Sequence, residues 1–164
     1  MGMAGCFAAA DKKTLAALRN DPSQIEEFLF PNDGDDVPEN YADVDKAWHG
    51  IHYMLTGSAV EGEGSLALAV LGGEEVGDDV GYGAARFLTP EQVKAVSAAL
   101  QELGPESFAS RFNAQAMEDA DIYPKIWVRD GADALDYVLE NYREMVAFYL
   151  AAAERGDGAI LWLC

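Results

Sequence analysis

An α+β fold in one domain is predicted for residues 1–164: a small mixed sheet that includes the N- and C-terminal strands, packed against several helices with a long C-terminal helix. Three observations predict it. The chain opens on a short apolar run through Cys6 and Phe7 and closes on AILWLC, strands hydrophobic enough to need cover on both faces and expected to pair with each other. An apolar face recurs at helical period from about Asp133 to Glu154. Half of the 164 residues are apolar, enough for one core and too few for two comfortable domains.

The elements follow in order. Asp11 caps a helix carrying Leu15 and Leu18, and Asp21–Pro22 opens a second one with Ile25, Phe28 and Leu29 inward. Residues 31–41, PNDGDDVPENY, read as an acidic surface loop. After the central helix comes a Gly/Glu linker, SAVEGEGS, then LALAVLGG, a two-turn helix capped by Ser65 or a buried strand, of which the helix is preferred. Glu74–Val76 and Ala85–Leu88 read as short strands around GDDVGYG. Thr89 with Gln92 forms a capping box with proline at the first helical position, and that helix stops at Gly104–Pro105. Short helices are expected in ESFASRF and from Asn113. In the long last helix Leu135, Val138, Leu139, Tyr142, Val146, Tyr149, Leu150 and Ala153 trace the apolar face, leaving Tyr137 opposite.

The central stretch, Asp43 to Gly57 (DVDKAWHGIHYMLTG), contains both histidines of the chain. As a helix it puts Val44, Trp48, Ile51 and Leu55 on a core stripe, with Asp45, His52, Thr56 and His49 along one flank. Lys46, Gly50 and Tyr53 fall on the side expected to meet water. The flank makes His49, His52 and Asp45 the candidate catalytic residues, since imidazole titrates near neutrality and a nearby carboxylate favours its charged form. The competing reading is a helix-surface pair of Asp45 with His49, and a packed His52 donating to a carbonyl of another segment. A second candidate is the stretch Gly77 to Arg86, where glycines permit close approach to a ligand. It is neither a P-loop nor a dinucleotide fingerprint, and the competing reading is a tight turn between the two short strands. Tyr82, Arg86, Gly81 and Gly83, with Trp48, are therefore the candidate ligand-binding residues, in a cleft expected between this loop and the histidines. Arg86 is expected to pair with a carboxylate.

The formal charge is −18, from 29 acidic and 11 basic residues. Phosphate backbones and anionic membrane surfaces would be repelled, so neither nucleic acid nor membrane is an expected partner. No apolar run is long enough to cross a bilayer, and the N-terminus lacks a basic region preceding an apolar one. Two cysteines, Cys6 and Cys164, supply no disulfide framework, which suits a cytoplasmic protein. Cys6, on a buried strand, is expected to be inert. His49 and His52 lack a third ligand at metal-binding spacing, so no metal and no cofactor is expected.

Several motifs together carry a family resemblance: the opening MGM–G–F, Asp21–Pro22, DVDKAWHGIHYMLTG, LGGEEVG, GYGAARFLTPEQV, IYPKIW and the final helix followed by AILWL. On these the chain resembles the bacterial YfbM-like proteins, domain of unknown function 1877, over nearly its whole length. The resemblance implies a small single-domain α+β protein and carries no catalytic residues with it. The expected function is a small binding module with a ligand or partner cleft beside the His49/His52 helix. The alternatives are a hydrolase-like enzyme using His49 or His52 as general acid/base, or an acidic protein that docks a basic partner. A monomer or homodimer is expected in each case.

Overall fold

The computed structural model describes residues 2–164. Its five strands are β1 (Gly5–Ala10), β2 (Tyr41–Asp43), β3 (Glu74–Asp79), β4 (Ala84–Leu88) and β5 (Gly158–Leu163), in the order β2-β1-β5-β4-β3. The two chain ends pair as expected, from Gly5 opposite Leu163 to Ala10 opposite Gly158. All four ladders are antiparallel rather than mixed, which leaves the α+β class unchanged.

Successive side chains of a strand point to opposite faces, and here both faces are covered. Cys6, Ala8 and Ala10 join Ile160 and Trp162 beneath α1 (Lys12–Asn20) and α2 (Ile25–Leu29). Phe7, Ala9, Ala159 and Leu161 face the larger core. That core is built by α3 (Trp48–Thr56), α4 (Ser65–Leu71), α5 (Pro90–Ala109), α6 (Ala114–Asp119), α7 (Trp127–Asp130) and α8 (Ala132–Arg155). The helix punctuation works as read: Asp11 accepts from the Thr14 N–H at 2.7 Å, and the Thr89–Gln92 box closes in both directions. Gly57, at φ +78°, ends α3 by donating its N–H to the Tyr53 carbonyl at 2.7 Å. Gly104, at φ +73°, interrupts α5 before Pro105.

Four local expectations are corrected. Ser65 begins α4 instead of capping it, after a Gly64 that offers no side-chain cap. Asp45 sits at φ +46° in a 3-10 turn, so α3 starts at Trp48 and the histidine flank loses its acidic member. The buried face of α8 is rotated toward Ala134, Met145, Phe148 and Ala152, while Leu150 is 40% exposed. Gly50 is buried rather than wet, because α7, an unanticipated helix that starts at the last residue of IYPKIW, sets Trp127 against it.

A Cβ added to Gly50 would lie 2.5 Å from the buried Trp127 ring. Alanine favours a helix over glycine by about 0.5–1 kcal/mol, but overpacking against a rigid ring costs about 1–3 kcal/mol. Gly50→Ala is expected to lower the unfolding free energy by about 1–2 kcal/mol, read from urea denaturation; an unchanged midpoint would contradict the close packing of α3 on Trp127.

Candidate functional site

Three of the predicted core residues of the central stretch, Val44, Ile51 and Leu55, are buried together, and Trp48 is 6% exposed beside them. Trp48 donates its indole N–H to the Met3 carbonyl at 2.9 Å and stacks between His49 and Tyr123. Its role is to pin the chain ahead of β1.

The histidines are held by backbone. His49 Nδ1 accepts from the Tyr123 N–H at 2.9 Å, which leaves the ring proton on Nε2 to donate to the Ala59 carbonyl at 2.8 Å. His52 is 1% exposed; its Nε2 faces the Glu61 carbonyl at 3.1 Å, and its Nδ1 is buried without a partner. Desolvation lowers the pKa of both, against the raising effect of the carbonyl bonds, and His49 and Arg86 push His52 down further. Protonating His49 would set two N–H groups against each other; protonating His52 would bury an unmatched donor. Both rings are therefore neutral at pH 7.

Among the described residues neither imidazole hydrogen-bonds a side chain, so no acid–base pair is assembled here. Asp45 instead accepts from the Tyr137 hydroxyl at 2.7 Å, and the same hydroxyl accepts from the Lys46 N–H at 3.0 Å. Tyr137, read as lying away from the core, is thereby tied to the entry of α3.

The glycine-rich loop is a tight turn. Asp79 accepts from the N–H groups of Gly81 and Gly83 at 2.7 and 3.2 Å, and Val80 donates to the Gly83 carbonyl at 3.0 Å. Tyr82 is 48% exposed at its tip. The cleft alongside the turn is completed by Pro22, Ser23, Ile25 and Glu26 of the other helical layer, not by the histidines. Arg86 has carbonyl partners where a carboxylate was expected: it donates to Val70 at 2.8 Å and Gly72 at 3.1 Å, closing the C-terminal end of α4.

What the histidines do bring together is the 57–64 loop. Thr56 Oγ1 bonds the His52 carbonyl at 2.9 Å and accepts from the Ser58 N–H, and Ser58 Oγ accepts from the Glu61 N–H, both at 3.1 Å. Gly62 lets the loop lie close to α4, where a Cβ would meet Ala67 and Thr56 at 2.8 Å. This loop, the start of α4 and Ala99 of α5 enclose an open cleft of about 850 Å³. Glu61, Glu63, Ser58 and Ser65 supply polar groups, Leu55 and Leu66 an apolar floor, and Arg111 the cation. Arg111 Nη1 donates to the Met54 and Leu55 carbonyls at 3.3 and 3.1 Å, closing the end of α3 as Arg86 closes α4. Read as a linker, SAVEGEGS hid this wall; its two glutamates between glycines were the available signal.

Among the described residues, no three His, Cys, Asp or Glu side chains are grouped to hold a metal ion, and no helix is long and apolar enough to cross a membrane. A family model described as Domain of unknown function (DUF1877) matches residues 1–162. A solved structure of YfbM from Escherichia coli, a protein of unknown function, superposes with a TM-score of 0.77 at 20% identity, covering 98% of this chain and 99% of that one. At that identity the likeness establishes the fold. No curated protein matches.

Because the folded-state pKa values of both histidines are depressed, the unfolded chain binds more protons at mildly acid pH. Their contribution to stability is therefore lost progressively as pH falls from about 6.5, the free-imidazole value, through the lower folded-state values. Between pH 7.5 and 5.5 the wild type is expected to lose stability relative to His52→Gln, measured by urea denaturation across pH; parallel curves would show that His52 takes up its proton freely.

Proposed function

The chain belongs to the DUF1877 family, and from that premise we propose that it is a cytoplasmic binding module for a small polar molecule that carries a protonated amine. One observation carries this reading. Both imidazoles of the chain are committed to carbonyls of one loop, Ala59 and Glu61, and that loop is the wall of the 850 Å³ cleft. A helix that fixes a loop in advance removes the ordering cost a ligand would otherwise meet. The expected histidine cleft thus becomes one in which His49 and His52 hold the wall and do not touch the ligand.

The lining sets the ligand chemistry. Glu61 and Glu63 are exposed carboxylates outside any ion pair among the described residues, and the overall charge of −18 favours a cation over an anion. Arg111 has Nη2 and Nε in reserve after its two carbonyl bonds through Nη1. An amine at the glutamates with a carboxyl or carbonyl oxygen at Arg111 satisfies both walls, as in an amino acid or a short amine-terminated peptide. The apolar floor of Leu55 and Leu66 accommodates an aliphatic portion.

A basic protein segment is the second reading, favoured by a different observation. Two clefts that share Ser23 and Glu26 are lined by Glu27 and Asp33 on one side and Asp78 and Asp79 on the other, on the face away from the histidines. Such a partner would bind in a strongly salt-dependent way.

A thermal-shift screen of amines, amino acids and dipeptides is expected to yield compounds that raise Tm for the wild type and fail on Glu61→Gln/Glu63→Gln, a pair of exposed substitutions that leave the fold alone. Compounds that stabilise both proteins equally would place the ligand elsewhere. Binding of a lysine-rich peptide that is abolished by salt and survives the double substitution would favour the second reading.

A further inference from the structure

The two cysteines lie 158 positions apart in sequence, and the strand pairing brings them together. The β1–β5 ladder continues past Gly5 and Leu163: Ala4 donates to the Cys164 carbonyl at 2.8 Å, and Cys164 donates back to the Ala4 carbonyl at 3.0 Å. Cys164 is therefore fixed opposite Ala4, and Cys6, two residues along β1, presents its side chain on the same face. The sulfurs are 2.9 Å apart. Tyr41 of β2 donates its hydroxyl to Cys6 Sγ at 3.5 Å from the other side. Cys6 is 2% exposed, whereas Cys164 is half-buried and open to solvent.

We propose that Cys6 and Cys164 form a reversible dithiol–disulfide couple that a hydroperoxide oxidises, locking β1 to the residue that follows β5. The roles follow from access and hydrogen bonding. Either sulfur can donate the shared S–H; we assign the proton to Cys6, whose thiol is pushed up by the bond to Cys164 and by burial, and the same bond brings the Cys164 thiol down to about 7. Cys164 thus supplies the thiolate that a peroxide can reach. Its sulfur attacks the terminal hydroxyl oxygen of the peroxide, the O–O bond breaks, and alkoxide (hydroxide, for hydrogen peroxide) leaves and is protonated, giving the Cys164 sulfenic acid. Cys6 sulfur then displaces the sulfenic hydroxyl; the Cys6 proton leaves with it as water and the S–S bond forms. Two thiols lose two electrons and two protons, and the hydroperoxide takes them up as water and an alcohol or second water. Cys6 is buried and its thiol is pushed up; in this couple it resolves the sulfenic acid and does not attack first.

The test uses the full chain, reduced and then treated with one equivalent of hydrogen peroxide. Expected are a monomer lighter by about 2 Da, no titratable thiol, and a Tm raised by several degrees, all reversed by dithiothreitol. Cys6→Ser is expected to stop at a sulfenic acid about 16 Da heavier, trapped by dimedone on Cys164. Cys164→Ser is expected to keep its remaining thiol under the same treatment. Two intact thiols in the wild type, added oxygen in place of the mass loss, a cross-linked dimer, or a disulfide that leaves Tm unmoved would each overturn the proposal.

Discussion

Everything in this molecule depends on one ladder, the antiparallel pairing of β1 with β5. Every residue of β1 is buried, and five of the six in β5 are. A backbone so enclosed must satisfy its N–H and C=O groups internally, because an unpaired buried amide is costly. Each strand does so between two neighbours, β1 against β2 and β5, β5 against β1 and β4. The sheet centre is thus made from the chain's two ends, and neither helical layer has a complete floor until the ends have met. The small side chains of Ala8, Ala9 and Ala10 are part of the solution. They let the helices approach, while the bulk comes from Phe7, which meets Phe148 and Tyr149 of α8 at 5.4 and 6.1 Å between ring centres.

From that ladder the constraint passes outward to the cleft. Tyr149, packed on Phe7, sends its hydroxyl to the Ala69 carbonyl of α4 at 2.5 Å, and Arg86 of β4 closes the end of the same helix. Phe108 of α5 stacks on Tyr142 of α8 at 3.7 Å, and Arg111, three residues on, closes α3. Two of the 11 basic residues are thus used on carbonyls, in a chain with 29 carboxylates to offer. The physical reason is position: the last carbonyls of an α-helix have no partner of their own, and a cation also suits the negative end of the helix dipole. Arg111 fixes the end of α3 from which the 57–64 loop departs, and Tyr149 and Arg86 hold the helix α4 to which it leads. His49 and His52 then need only hold the loop at Ala59 and Glu61.

The fold was far more legible in the sequence than the site, and the difference is one of range. Caps, glycine stops and apolar periodicity act within a few residues, so Asp11, Thr89–Gln92, Gly57 and Gly104 could be placed from local chemistry. The pairing of the terminal strands was legible too, since two short strands hydrophobic on both faces need one another. The expected site failed at His49 and Asp45, whose partners come from elsewhere in the chain, whereas His52 is packed against a carbonyl of another segment, Glu61, as the competing reading had it. His49 was read beside Asp45, four residues away, yet its partners are Ala59 and Tyr123, and Asp45 turned out of the helix to meet Tyr137. Helical spacing says which side chains can meet on one helix; it is silent on a carbonyl delivered from another segment. The burial of Gly50 has the same origin, because Trp127 belongs to a four-residue helix too short to show a period.

The acidity of the chain bears on the cysteine couple as well as on the cleft. A surface of charge −18 repels anionic oxidants, including charged low-molecular-weight disulfides, and leaves a neutral hydroperoxide unhindered. The same field opposes a thiolate, and Asp43 adds to that opposition at Cys164, as does partial burial. The hydrogen bond from Cys6 outweighs both, so the reactivity of Cys164 derives from its partner and not from any positive surroundings. That dependence makes the couple self-limiting. Once the disulfide has formed, Cys6 has no proton to donate and Cys164 no thiolate to expose. The sulfur that made the site reactive is the one that closes it, on the ladder that holds the two ends of the chain.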